Sequence, residues 1–251
     1  MFFSKGKTPN NLKFNFNGKQ LEIADEFNYL GVLLTTNGNF NKSKMFAVNK
    51  GTKAMYEVLK LGRIYSLSIN CQLNLLDKMV KPILLYGCEI WGLGNIEIIE
   101  RVHIKFCKLL LQLQNSTPTY MIYGELGRYP IVLDVKIRIL SFWSKLLFDK
   151  ESKLSLIIYR LCFEMHTVND ANFPWLKNVH NIINECGLAY ISNTQIFINS
   201  DWFTSLVKQT LKDQYNQLWH QQTENTAKAL TYRLFKDISW NFGLKKYHYL
   251  M

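Results

Sequence analysis

Polar and apolar residues alternate at Lys13-Phe14-Asn15-Phe16 and again over residues 19–23, with Asn17-Gly18 between the two runs. A two-residue hairpin turn wants positive φ at both central positions, which Asn and Gly adopt at little cost, so an antiparallel hairpin is expected here. Another strand is expected over residues 27–34. Strands this few make no stable sheet alone, so they read as the edge of a larger one. The apolar period then changes to that of a helix. Over 42–61, Met45, Val48, Met55, Val58 and Leu59 fall roughly on one face, with Gly51 as a weak point. Ser68 is the expected N-cap of a second helix with Leu73, Leu76, Met79, Val80 and Ile83 inward, kinked or ended at Pro82.

Asn95 is the expected cap of a third helix, through Ile99, Val102, Phe106, Leu109 and Leu113. Ser116-Thr117-Pro118 signals a helix start, residues 124–130 a loop, and 131–148 a helix with Val135, Ile139, Phe142 and Leu146 inward. Helical patterning continues at about 152–166, 175–186 and 201–220, with a joint at 193–200. The expected fold is mainly α, a helical bundle behind a small antiparallel β portion. The expected division is 1–38, 39–150 and 151–251.

Composition is that of a globular protein, with 48% hydrophobic and 20% charged residues, but the net charge is +11. The excess is uneven: residues 1–63 carry ten Lys/Arg against four Asp/Glu, which is +6 of the total. A polyanionic partner is implied, and that first quarter should meet it. The first long helix carries Lys42, Lys44, Lys50, Lys53 and Lys60, with Arg63 at its end and only Glu57 as an intervening acid. A lysine-rich face is often just solvated, yet unpaired like charges disfavour a helix, which favours phosphate contact. Neutralising about four to six phosphates would give a salt slope of roughly −3 to −5. Arg101, Lys105 and Lys108 have Glu97 and Glu100 beside them and read as a salt-bridged exposed face.

Chemistry is not offered by the remaining residues. The five cysteines (71, 88, 107, 162, 186) and five histidines (103, 166, 180, 220, 248) have no zinc-site spacing. No nucleophile elbow, phosphate-binding glycine loop or His-Glu-x-x-His occurs, and Glu89 has no second carboxylate at catalytic spacing. No metal or catalytic residue is assigned. The longest apolar run, residues 82–88, is too short for a bilayer, so no membrane partner is expected. An odd number of scattered cysteines goes with reduced thiols and an intracellular place, cytoplasmic or nuclear.

Three segments carry a family resemblance. They are Phe27-Asn28-Tyr29-Leu30-Gly31-Val32-Leu33-Leu34-Thr35-Thr36-Asn37-Gly38, Lys81-Pro82-Ile83-Leu84-Leu85-Tyr86-Gly87-Cys88-Glu89-Ile90-Trp91-Gly92, and Ser116-Thr117-Pro118 followed by Tyr123-Gly124-Glu125-Leu126-Gly127-Arg128-Tyr129-Pro130. Weaker ones are Phe2-Phe3-Ser4-Lys5-Gly6, Thr231-Tyr232-Arg233-Leu234-Phe235-Lys236 and Phe242-Gly243-Leu244-Lys245-Lys246-Tyr247. In this order they resemble the C-terminal part of non-LTR (LINE-type) retrotransposon reverse transcriptases, from palm edge through thumb to the following connection. The resemblance implies an RNA-directed DNA polymerase fragment of a transposable element, with residues 1–38 as palm edge and 39–150 as thumb. It implies that Tyr29 and Gly31 lie near the primer strand; a glycine admitting a close backbone is the competing account.

The complete family enzyme works with two Mg²⁺ held by palm aspartates. Those aspartates belong upstream of anything matched here, and Asp25-Glu26 stands in the wrong context, so a fragment truncated on both sides, without a cofactor of its own, is expected. Its expected capacity is to hold template–primer nucleic acid through Tyr29, Gly31, Lys42, Lys44, Lys50, Lys53, Lys60 and Arg63. The alternatives are an inert retroelement remnant and a helical protein-interaction module, the latter marked by an exposed apolar patch over residues 150–220.

Overall fold

The computed structural model describes residues 13–21, 24–169 and 171–225. Two short antiparallel hairpins precede a chain of helices, and the fold is mainly α. In the first hairpin β1 (Phe14–Phe16) pairs with β2 (Lys19–Leu21) around Asn17 (φ 50°) and Gly18 (φ 75°), the turn that Asn-Gly predicts. Residues 27–34 do not form one strand. They fold back as a second hairpin, β3 (Glu26–Tyr29) on β4 (Val32–Thr35), with Tyr29 opposite Val32. The turn is Leu30 (φ 47°) and Gly31 (φ 86°). Leucine is a poor turn residue at positive φ. Its carbonyl is held by a distant partner, Tyr86, whose Oη donates to Leu30 O at 2.7 Å.

Helix α1 (Asn41–Ile64) is the backbone of the first half. Asn39 Oδ1 accepts from Asn41 N at 2.7 Å at its start. Its buried face is Ser43, Lys44, Ala47, Gly51, Met55, Val58, Leu59 and Gly62. Met45, expected inside, is exposed, and Gly51 is where Leu84 presses closest: a Cβ there would lie 2.3 Å from Leu84 Cδ2. Ser68 caps α2 (Ile69–Leu75) as expected, its Oγ accepting from Cys71 N at 3.3 Å.

A wide π turn, Leu76–Val80, leads into α3 (Lys81–Leu84), with Lys81 N donating to Leu76 O five residues back. Pro82 has no N–H and its ring would strike the carbonyl four residues earlier in a regular helix. The wider turn relieves both conflicts. After α4 (Cys88–Trp91), Asn95 Oδ1 accepts from Glu97 N at 2.7 Å at the start of α5 (Glu97–Leu110). Pro118 stands at the N-cap of α6 (Thr119–Leu126). The expected loop shrinks to residues 127–130, since Gly124 to Leu126 belong to α6, and it ends at α7 (Ile131–Leu147), which buries Val135, Ile139, Leu140, Trp143 and Leu146; Phe142, expected inward, is exposed.

The C-terminal elements are α8 (Leu154–Asn169), α9 (Pro174–Glu185), α10 (Ala189–Thr194) and α11 (Ser200–Asn225). In α11 the inward positions Phe203, Val207, Leu211, Tyr215 and Trp219 recur every fourth residue. That spacing turns the stripe by about 40° per repeat, so α11 lies along α7 first and reaches α6 at Trp219, beside Gly124. One apolar cluster runs from Ala47 to Leu211 and takes side chains from both sides of the expected 150/151 junction. The resembling segments at residues 2–6, 231–236 and 242–247 lie outside the described residues.

Candidate nucleic-acid interface

At about 100° per residue, Lys42, Lys53 and Lys60 share one side of α1 and Lys50 stands beside them. All four are exposed, and so is Arg63. Lys42 is ion-paired with Glu26 of β3. Lys50 Nζ lies 4.2 Å from the centroid of the Phe46 ring. Lys50, Lys53, Lys60 and Arg63 make no ion pair among the described residues. From Lys42 to Lys60 the helix rises about 27 Å.

Lys44 is a correction to the expected set. It is nine positions from Lys53, roughly 180° away around the helix, and is 4% exposed. Its Nζ donates to Leu93 O at 2.5 Å and Asn95 O at 3.1 Å, tying α1 to the loop that starts α5. Burial lowers the pKa of this ammonium. Its aliphatic stem crosses apolar surface while the head satisfies two carbonyls. It cannot reach a phosphate.

Tyr29 and Gly31 are separated by the turn. Tyr29 is exposed at the end of β3, whereas Gly31 faces Tyr86, whose Cε1 would be 3.1 Å from an added Cβ. Gly31 therefore serves the close packing of hairpin on Tyr86. Between this turn, α1 and the residues around Pro82 lies a groove of about 580 Å³. Leu30, Gly31, Phe46, Pro82 and Tyr86 line it, and Lys50 stands among them. The structure thus brings Gly31 and Lys50 to one groove, while Lys53, Lys60 and Arg63 continue along α1.

Several members of this surface were not singled out from sequence. Phe46 and Tyr56 are exposed between the lysines of α1. Lys105 of α5 lies over Tyr56, 5.3 Å from its centroid, so α5 contributes to the same surface. Lys108 and Arg63 line a neighbouring cleft of about 530 Å³. The readable signal was aromatic residues interleaved with basic ones, the composition that stacks bases and tracks phosphates. Of the expected salt-bridged face on α5, Arg101 does pair with Glu97 at 3.0 Å, while Lys108 Nζ donates to Asn115 O.

Three buried groups with acid–base or nucleophilic potential, Cys88, His103 and Tyr123, serve the interior. Burial, with the Glu89 charge, pushes the Cys88 thiol up to about 12, so it carries no thiolate at neutral pH. Glu100 accepts from Tyr123 Oη and, at 3.1 Å, from Val132 N. Burial and that carboxylate drive the Tyr123 hydroxyl far up. Burial opposes protonation of His103, but Cys107 and Glu100 outweigh it and hold its pKa up to about 9. These bonds join α5, α6 and α7. Among the described residues no group of three or more His, Cys, Asp or Glu side chains could hold a metal ion, and no helix is long and apolar enough to cross a membrane.

No protein-family model, curated protein or solved structure matches this chain. The surface itself is therefore what bears on function: along α1, Lys50, Lys53, Lys60 and Arg63 outnumber the single exposed acid Glu57 and are interleaved with exposed rings.

Proposed function

We propose that this chain holds nucleic acid by its phosphate backbone along the exposed side of α1, as the thumb of a non-LTR reverse transcriptase holds template–primer. The observation that carries the reading is the set Lys50, Lys53, Lys60 and Arg63, exposed and without ion pairs among the described residues, with Phe46 under Lys50 and Tyr56 between Lys53 and Lys60. Helices present a regular row of charges, and backbone contacts of this kind position a strand without reading its sequence. The segments that carry the resemblance belong to the palm edge, thumb and connection, so the part assigned to them is holding the strand. A cytoplasmic or nuclear setting goes with it.

Fluorescence anisotropy with an RNA/DNA hybrid tests this at low salt. Binding that weakens steeply with salt, and weakens further in Lys53→Glu/Lys60→Glu, is the expected result. No binding to any oligonucleotide in dilute buffer would sink the reading.

A separate observation favours a second reading, a helical protein-interaction module. Leu154, Ile158, Leu161, Met165 and Val168 follow one another at spacings of four, three, four and three residues along α8, and all are exposed. Ile157 is exposed beside them. With Leu156 and Tyr159 buried on the other side, α8 is apolar nearly all round, which is the pattern of a helix covered on both faces. Spacings of this kind form a helix–helix seam. Exposures of 39–73% leave on the order of 600 Å² open on α8 alone, near the roughly 800 Å² per partner of a standard interface. A second copy of this chain, seam against seam, is the assigned occupant. Sedimentation should show self-association that survives high salt and is lost in Leu161→Glu. A wild-type chain that stays monomeric at high concentration would remove this reading.

A further inference from the structure

The side of α3 turned away from α1 opens on a second basic cleft. Leu84 of α3 faces Gly51 of α1, whereas Asp77 and Lys81 face a space of about 430 Å³ bounded by the α6–α7 loop, α7 and α11. Five basic side chains line it (Lys81, Arg128, Arg138, Lys208 and Lys212) against two acidic ones (Asp77 and Asp134), a balance of +3.

The two acids are already engaged. Arg128 donates from both ends of its fork to the two oxygens of Asp77. Lys81 Nζ lies 2.7 Å from Asp134 Oδ2. Burial alone would raise the Asp77 carboxyl, but the Arg128 hydrogen bond and charge, with Lys81, hold it below its ordinary value. The Arg128–Asp77 pair therefore stays ionised at neutral pH, and the two pairs fix the floor of the cleft.

Three cations remain. Arg138 is ion-paired with Glu89, yet it reaches Leu85 O and Glu89 Oε1 through Nη1 alone, at 3.4 Å each, which leaves its Nε and Nη2 free to donate. Lys212 Nζ lies 5.0 Å from the Tyr129 ring centroid, and Lys208 makes no ion pair among the described residues. Lys208 and Lys212 stand four apart on one helix, where their mutual repulsion is slight and an anion between them would relieve it.

We propose that this cleft binds a phosphate group through Arg138, Lys208 and Lys212. A phosphate carries up to two negative charges and enough acceptor oxygens for all three partners. The planar guanidinium suits two oxygens at once, and the ammonium groups act as mobile point charges. Partial enclosure makes each attraction stronger than at an open surface. The space exceeds one phosphate, so the group arrives attached to something: a further phosphate of a free polyphosphate, or the chain of a nucleic-acid strand.

The proposal uses no residue of the α1 surface, so the two can fail separately. Inorganic pyrophosphate is titrated into the full chain by calorimetry, with a short single-stranded oligonucleotide as competitor. Wild type should bind one pyrophosphate saturably. Lys208→Glu/Lys212→Glu should weaken it by about tenfold to a hundredfold, as loss of charge-assisted bonds requires, and Lys53→Glu/Lys60→Glu should leave it unchanged. The neutral pair Lys208→Gln/Lys212→Gln, checked by circular dichroism for an unaltered fold, should give an intermediate loss. Displacement of pyrophosphate by the oligonucleotide makes a strand phosphate the ligand; persistence in its presence makes it a free polyphosphate. Absence of saturable pyrophosphate binding, or binding indifferent to both Lys208/Lys212 substitutions, overturns the site.

Discussion

Lys53 and Lys44 carry the same charge on the same helix, and the structure gives them opposite roles that one experiment separates. Four cations of the α1 surface have no ion pair among the described residues: Lys50, Lys53, Lys60 and Arg63. If each neutralises one phosphate, log K should fall against log salt with a slope of about −3.6, and raising salt from about 50 to 200 mM should cost roughly 150-fold in affinity. Lys53→Ala/Lys60→Ala leaves two contacts, a slope of about −1.8 and a loss of only about 12-fold over the same range. Lys44→Met should leave the slope alone. It removes the ammonium from Leu93 O and Asn95 O, which costs about 1.5–3 kcal/mol of stability and lowers Tm by roughly 3–12 °C. Anisotropy titrations at several salt concentrations and thermal melts read the two effects separately. A slope that drops in Lys44→Met, or fails to drop in Lys53→Ala/Lys60→Ala, refutes the assignment of the α1 faces.

Other outcomes follow from packing and charge. Gly124→Ala puts a Cβ 2.5 Å from Trp219 Cζ2, inside a fully buried ring contact, and should destabilise by about 1–3 kcal/mol in urea unfolding. Asp77→Asn removes one partner of Arg128; with Asp77 35% exposed, the loss at neutral pH should be only about 1–2 kcal/mol. Because the folded-state pKa of Asp77 is depressed, its contribution is present above the unfolded value of 3.8 and vanishes as pH falls through the lower folded value. The stability gap between wild type and Asp77→Asn should accordingly close below about pH 4. Leu161→Glu should abolish self-association and, at dilutions where the wild type is monomeric, leave Tm unchanged, since the side chain it replaces is exposed.

The first hairpin was readable because Asn17-Gly18 is itself a turn signal, and α5, α7 and α11 because their apolar positions recur at helical spacing. The second hairpin was not. Nothing local marks Leu30 for positive φ; its turn is held by Tyr86, 56 residues away. On α1 the inner face was misjudged because much of it is small: Ala47, Gly51 and Gly62 count little in an apolar pattern yet admit Leu84 and Gln72 closely. Lys44 was readable in principle, since its angle from Lys53 places it inside. The α3–α7–α11 cleft was invisible, because its residues lie between positions 77 and 212 and meet only once the helices have packed.

Three indoles, two buried and one half-buried, link separate parts of the chain. Trp143 Nε1 donates to Tyr159 Oη, Trp175 Nε1 to Glu89 O and Trp219 Nε1 to Tyr120 O, the last two across 86 and 99 residues of sequence. If the C-terminal helices peeled away, all three bonds would break, and Trp175 and Trp219 would leave with their helices and meet water. Tryptophan emission and far-ultraviolet ellipticity should hence decay at a common midpoint on heating, and a chain cut after residue 150 should glow like an opened one.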